Sequence, residues 1–120
     1  MRTGIDIVEI ERISLDDKFL SKIANEREIE YIKTYKTEQS QKESIAGLWA
    51  VKEAVFKLLG LGKNSGVAFK DIELLHEANG RPYVKLINIA EKTFINLGLK
   101  EIEISISHTK NNAVAVAIAQ

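Results

Sequence analysis

Ile45-Ala46-Gly47-Leu48-Trp49-Ala50-Val51-Lys52-Glu53-Ala54-Val55-Phe56-Lys57-Leu58-Leu59 is the stretch on which the fold of this chain turns. Eleven of its fifteen residues are apolar, yet it holds three charges, Lys52, Glu53 and Lys57. Such a run reads as a helix buried on most of its surface. Charges are normally excluded from that setting unless they are paired, bind a metal or open onto a cleft. Glu53 and Lys57 are four apart and share a face, whereas Lys52 sits about 100° away around the axis. Two readings stay open at this point: a functional site, or an ordinary Glu–Lys ion pair on a helix lying in a groove. The helix stops at Leu59, with Gly60 as its C-terminal glycine.

Upstream, Thr3 to Ile10 has the alternation of a strand, Ile5 and Ile7 facing one way and Asp6, Val8 and Ile10 the other. Both faces carry apolar residues, so the strand is expected to be covered on both sides, with Asp6 as the charge that does not belong. Ser14 with Asp17 predicts a helix over about residues 15–24. Asn25 with Glu28 predicts a second, ending near Tyr35. The segment from Thr37 to Ser44 is polar and leads into the long helix. Downstream, Gly60 to Gly66 is a glycine-bearing loop. It follows a helix rather than a strand, so it matches a phosphate-binding loop in composition only. Phe69–Glu77 and Pro82–Ile87 form a hairpin through Asn79-Gly80. Asn88 with Glu91 predicts a helix ending at Gly98. Two final strands run from Glu101 to Ser107 and from Ala113 to Ala119. The second puts Ala113, Ala115, Ala117 and Ala119 on one face, a seat on which the long helix can approach closely. The expected architecture is a single α+β domain over residues 1–120, with a mostly antiparallel sheet packed around a long buried helix.

Seventeen basic residues balance seventeen acidic ones, so the whole-chain field argues for neither nucleic acid nor an anionic membrane as partner. The absence of cysteine excludes disulfides and thiolate metal sites, and no run is long enough to span a membrane. A soluble cytoplasmic protein is expected. In so short a chain, an active site is expected to borrow a wall from a second copy.

Two carboxylates stand where carboxylates are unusual: Asp6 on a strand and Glu53 on the buried helix. Oxygen ligands from two elements, with positions left for substrate, suit Mg²⁺, which favours one or two carboxylates plus phosphate oxygens. A structural Asp6, capping a turn or pairing with an arginine, is the alternative. His108 ends a strand and can bind phosphate, move a proton or lie on the surface. His76 has no partner pattern and reads as surface. Ser107 beside His108 is poor geometry for a nucleophile and its base, and there is no nucleophile elbow.

Three segments together resemble a known family. Gly4-Ile5-Asp6-Ile7-Val8-Glu9-Ile10-Glu11-Arg12-Ile13 is similar to the opening motif of the 4′-phosphopantetheinyl transferases. Trp49-Ala50-Val51-Lys52-Glu53-Ala54-Val55-Phe56-Lys57 is similar to their central motif, and Ile104-Ser105-Ile106-Ser107-His108-Thr109 to a third. Order and intervals resemble the short, single-domain holo-acyl-carrier-protein synthase type over essentially the whole chain. The resemblance implies that fold, and transfer of 4′-phosphopantetheine from coenzyme A to a serine of apo acyl carrier protein, with release of 3′,5′-ADP. It implies Asp6 and Glu53 as Mg²⁺ ligands and Lys57 as a phosphate partner, these three forming the catalytic group. Lys52 either pairs with a carboxylate or reaches the phosphates. Ser107, His108 and Thr109 border coenzyme A, His108 at its 3′-phosphate, as do Gly80, Arg81 and Pro82 of the hairpin. Gly60 and Gly62 complete the implied coenzyme A set. The proton acceptor for the serine is open between Glu53 and a metal-bound water. Leu48 departs from the family, where arginine often stands; Lys63 or Arg81 are the candidate substitutes. A homotrimer with sites at subunit interfaces is implied, and carrier docking on the first helix through Arg12, Lys18 and Lys22. Two other readings remain: a non-catalytic coenzyme A or nucleotide-binding module, and a purely structural oligomeric domain.

Overall fold

A strand whose alternate side chains are alanine offers a flat seat for a helix, and here it takes one. The computed structural model describes residues 1–62 and 65–120. Strand β1 (Arg2–Glu9) is followed by the short helices α1 (Asp17–Ile23) and α2 (Glu26–Lys33) and the long helix α3 (Glu38–Leu59). The hairpin β2 (Ile72–His76) and β3 (Pro82–Leu86), helix α4 (Asn88–Asn96), and strands β4 (Ile102–His108) and β5 (Asn112–Ala119) complete the chain. The last two strands and β1 form an antiparallel sheet in the order β1-β5-β4, and β2 pairs with β3 separately. The α+β architecture, the antiparallel sheets and the packing around a long helix are as expected.

The register explains the packing. Gly4, Asp6 and Val8 lie opposite Ala117, Ala115 and Ala113, so that these residues share one face of the sheet. Ile104, Ile106 and His108 of β4 join that face across β5. The four alanines of β5 are buried, and α3 lies on them with Ala50, Val51, Ala54, Val55 and Leu58 in the core. Gly4 lets β1 press onto the helix. A Cβ there would overlap the Ala54 carbonyl and come within 2.9 Å of the Leu58 nitrogen.

Four sequence expectations are corrected. Helix α3 begins at Glu38, well before the apolar run, because Thr37 and Ser40 cap each other reciprocally. Helix α1 is capped by Asp16 rather than Ser14, whose hydroxyl accepts from the Asp16 nitrogen instead. Asn88 caps nothing: it takes a left-handed φ of 53° and its amide donates to Asp71 Oδ1. Finally, β1 is covered on one face only. Ile5 is 61 % and Ile7 67 % exposed, and they join Val114, Val116 and Ile118 on the sheet face away from α3. The Asn25–Glu28 capping box and the Asn79-Gly80 turn, with Gly80 at φ 89°, are found as read.

Candidate active site

Asp6 and α3 meet because strand register and helical spacing agree. Asp6 points to the helix-bearing face, and Glu53 and Lys57 lie one turn apart on the helix edge nearest β1. Lys57 Nζ donates to Asp6 Oδ1 at 3.0 Å and to the Ile5 carbonyl at 2.9 Å. The Glu53–Lys57 pair is therefore not formed; Lys57 reaches across to the strand instead. Among the described residues Glu53 makes no ion pair. Burial pushes its carboxyl above the usual range, the Asp6 charge adds to that, and Lys57 partly offsets both.

Asp6 and Glu53 open into a cleft of about 620 Å³, beside which Lys57 is bonded to Asp6. Asp6, Glu9 and Glu53 line its acidic side, and Val8, Ile13, Phe19 and Trp49 its apolar side, with Arg12 at the rim. Phe19 stacks on Trp49 at 5.4 Å, and Trp49 leans on Phe69 at 5.3 Å. Two carboxylates facing one half-buried cleft, one of them raised in pKa by burial and by the other's charge, fit a hard cation. Among the described residues no three His, Cys, Asp or Glu side chains converge closely enough to hold a metal ion by themselves. The donor set thus fits Mg²⁺ completed by oxygens from substrate, not a cage made by protein alone.

Lys52 lies elsewhere. It is wholly buried, and its three N–H bonds go to Glu28 Oε1 at 2.9 Å, the Ile23 carbonyl at 2.7 Å and the Phe69 carbonyl at 3.1 Å. Burial pushes its pKa down while Glu28 pulls the other way. Of the two roles open to it, the carboxylate pairing is the one seen. No proton remains for a phosphate, so Lys52 leaves the coenzyme A set.

His108, Gly80 and Pro82 come together in a second cleft of about 330 Å³, whose wall includes Leu48. His108 Nε2 lies 3.8 Å from Glu43 Oε2. The sequence missed the aromatic side of this cleft, Tyr31, Tyr35 and His76. His76 is no plain surface residue: it stacks on Tyr31 at 4.0 Å, and burial lowers its pKa. Ser107 projects from the opposite sheet face to His108, beside Val114. Thr109 Oγ1 accepts from the Asn111 and Asn112 nitrogens and so shapes the turn. Arg81, a candidate substitute for the arginine missing at Leu48, is held by Glu103 at 2.6 Å and does not line the cleft that Leu48 borders. Gly60 ends α3 in the left-handed region at φ 72°, and neither it nor Gly62 borders these clefts. Lys63 lies outside the described residues. A groove of about 750 Å³ bordered by Glu11, Lys42 and Lys110 links the two clefts, sharing Glu9 and Asn112 with the first and Glu43 with the second.

Comparison with known proteins bears on the family and the fold. Residues 2–119 match the family model of the 4′-phosphopantetheinyl transferase superfamily. A holo-acyl-carrier-protein synthase of Caldicellulosiruptor bescii is 46 % identical, over 98 % of this chain and 95 % of the relative. The crystal structure of the Bacillus anthracis synthase, in complex with coenzyme A (3′,5′-ADP), superposes with a TM-score of 0.81 at 34 % identity, covering 98 % of this chain and 94 % of that one. The Helicobacter pylori synthase in complex with coenzyme A gives a TM-score of 0.81 at 31 % identity, covering 98 % and 99 %. The chain belongs to the 4′-phosphopantetheinyl transferase superfamily, in its short holo-acyl-carrier-protein synthase type.

Proposed function

We propose that the protein transfers 4′-phosphopantetheine from coenzyme A to a serine hydroxyl of apo acyl carrier protein, with Mg²⁺, in the cytoplasm and in the service of fatty acid synthesis. The observation that carries this is the Asp6–Glu53–Lys57 constellation at the mouth of a half-apolar cleft. The serine oxygen bonds to the phosphorus that bears pantetheine, the bond from that phosphorus to the bridging oxygen breaks, and 3′,5′-ADP leaves with the bond's electrons. Phosphoryl transfer of this kind depends chiefly on positioning and charge stabilisation. Asp6 and Glu53 would hold Mg²⁺, which supplies charge neutralisation on the pyrophosphate when bound. Lys57, anchored by the Ile5 carbonyl and Asp6, presents an exposed ammonium to the same oxygens. Glu53 is the carboxylate placed to take up the serine proton, directly or through a water. Where Leu48 offers no charge, Lys42 and Lys110 are the cations of the linking groove, set there among Glu9, Glu11 and Glu43. His108 then serves the 3′-phosphate end, with Gly80 and Pro82 beside the nucleotide.

The protein works as a homotrimer in this reading. The exposed Ile5 and Ile7 on the outer sheet face support assembly, and Ile7 also lines the catalytic cleft, so a neighbour seated there borders the site. A monomeric mass by light scattering at working concentration would count against it.

The deciding experiment incubates the protein with coenzyme A, Mg²⁺ and apo carrier protein, then weighs the carrier by mass spectrometry. A phosphopantetheine adduct on the serine is expected; no adduct with any carrier tested overturns the proposal. Carrier docking is assigned to α1, where Lys18 and Lys22 are exposed, together with the exposed Arg12 of the turn before it, which lines the cleft. Reversing Lys18 and Lys22 to glutamate is expected to raise KM for the acidic carrier about tenfold, with KM for coenzyme A nearly unchanged. An equal rise in both refutes this docking face.

A further inference from the structure

Lys52 is the charged residue of the central motif that the transfer chemistry leaves unused, and it is also the most enclosed. Its three hydrogen bonds reach three different segments: Glu28 of α2, the Ile23 carbonyl at the end of α1, and Phe69 in the turn before β2. Glu28 is equally committed, accepting from the Asn25 and Leu74 nitrogens.

The bond to Ile23 has a consequence for the cleft. Helix α1 has seven residues, too few to hold its own helix in water, so its place depends on attachments: the buried side chains of Leu20 and Ile23, and two that bear on the cleft. One is the Lys52 ammonium at its C-terminal carbonyl, where a cation is favoured. The other is Phe19, stacked on Trp49. Trp49 and Lys52 are three apart on α3, hence neighbours on its surface, and the residue after Lys52 is Glu53. So α1 is fastened at two points to the turn of α3 that carries the catalytic carboxylate, and its Phe19 is a wall of the catalytic cleft.

Stability alone gives little reason for such a pair. Replacing both members of a buried ion pair by neutral side chains of similar volume is often neutral or stabilising. An apolar side chain at position 52 cannot make the bond to the Ile23 carbonyl. We propose that Lys52 is a positioning residue: by holding the end of α1 it fixes the carrier-docking wall of the cleft relative to Glu53. This rests on α1 being the carrier-docking helix, as proposed above.

The test compares Lys52→Met with the double variant Lys52→Met/Glu28→Gln. The single variant strands a buried carboxylate and loses thermal stability. The double variant removes both charges at similar volume and is expected to regain most of the melting temperature. Its KM for carrier protein should nevertheless stay raised about tenfold, with KM for coenzyme A within about twofold of wild type. A readout that needs no carrier comes from Trp49, the only tryptophan of the chain. Loosening of α1 uncovers its Phe19-stacked face, so acrylamide quenching of its fluorescence should increase in the double variant. Recovery of stability together with wild-type carrier KM and wild-type quenching overturns the proposal. Should the single variant not fold, the double variant decides alone. If wild-type protein modifies no carrier, the functional reading falls, and the quenching comparison still decides Lys52: increased quenching supports its hold on α1, and unchanged quenching overturns it.

Discussion

Replacing Glu53 by glutamine is expected to slow phosphopantetheine transfer on the order of 10³-fold while the protein stays folded. The substitution keeps the shape of the side chain and deletes one charge. Among the described residues Glu53 makes no ion pair, so no partner is stranded by the change. The loss falls on the reaction instead, through one of two carboxylates placed to hold Mg²⁺ and through the group suited to accept the serine proton. The melting temperature of the metal-free protein should hold or rise, because the repulsion between Glu53 and Asp6 is relieved. Turnover within a few-fold of wild type would remove Glu53 from the catalytic group.

The same carboxyl predicts how metal and pH are linked. Its pKa is raised in the folded protein, chiefly by burial and then by Asp6. Between the unfolded and the folded value the folded state holds more proton than the unfolded chain. Stability without metal therefore falls as pH rises across that window. A divalent cation takes the proton's place, so the gain in melting temperature on adding Mg²⁺ should grow as pH rises through the window and then level off. The Glu53→Gln protein should show almost none of that gain. A pH-independent Mg²⁺ shift, or an equal one in the variant, would separate the cation from this site.

How much of this was legible in the sequence depended on chain distance. Local signals read true where the partners are near: the Asn25–Glu28 box, the Asn79-Gly80 turn, the alanine face of β5 and the glycine after Leu59. The charges on α3 announced a site, but their pairings are set by residues far along the chain. Lys57 finds Asp6 51 positions away, and Lys52 finds Glu28 24 positions away. Spacing along one helix offered only the Glu53–Lys57 pair, which is not the one formed. The Tyr31–His76 stack and the Phe19–Trp49 stack were invisible for the same reason. The outer face of β1 shows a different limit: its isoleucines read as covered, and in a single copy they are not. Apolar alternation records that a face is to be buried and is silent on whether the cover comes from the same chain.

Gly4→Ala should be the most damaging small substitution in the molecule. The added Cβ would meet backbone, the Ala54 carbonyl and the Leu58 nitrogen, so no side chain can turn aside to admit it. Either β1 lifts from α3 or the helix deforms, and the cost should reach or exceed about 3 kcal/mol, the upper part of the usual range for overpacking. For a chain of this size that lowers the melting temperature by roughly 10–20 °C. Activity should fall further than stability explains, because Asp6 lies two residues along the same strand. Any lift of β1 draws Asp6 away from Lys57 Nζ, now 3.0 Å distant, and from the face of α3 that carries Glu53. Gly62→Ala is the control: among the described residues nothing lies within 4 Å of a Cβ there, and the change should stay within about 0.5 kcal/mol. Measured below the melting temperature of both variants, Gly4→Ala should show weakened Mg²⁺ stabilisation and depressed transfer, and Gly62→Ala neither. Equal behaviour of the two would mean that the close seating of β1 on α3 is not what brings the two carboxylates together.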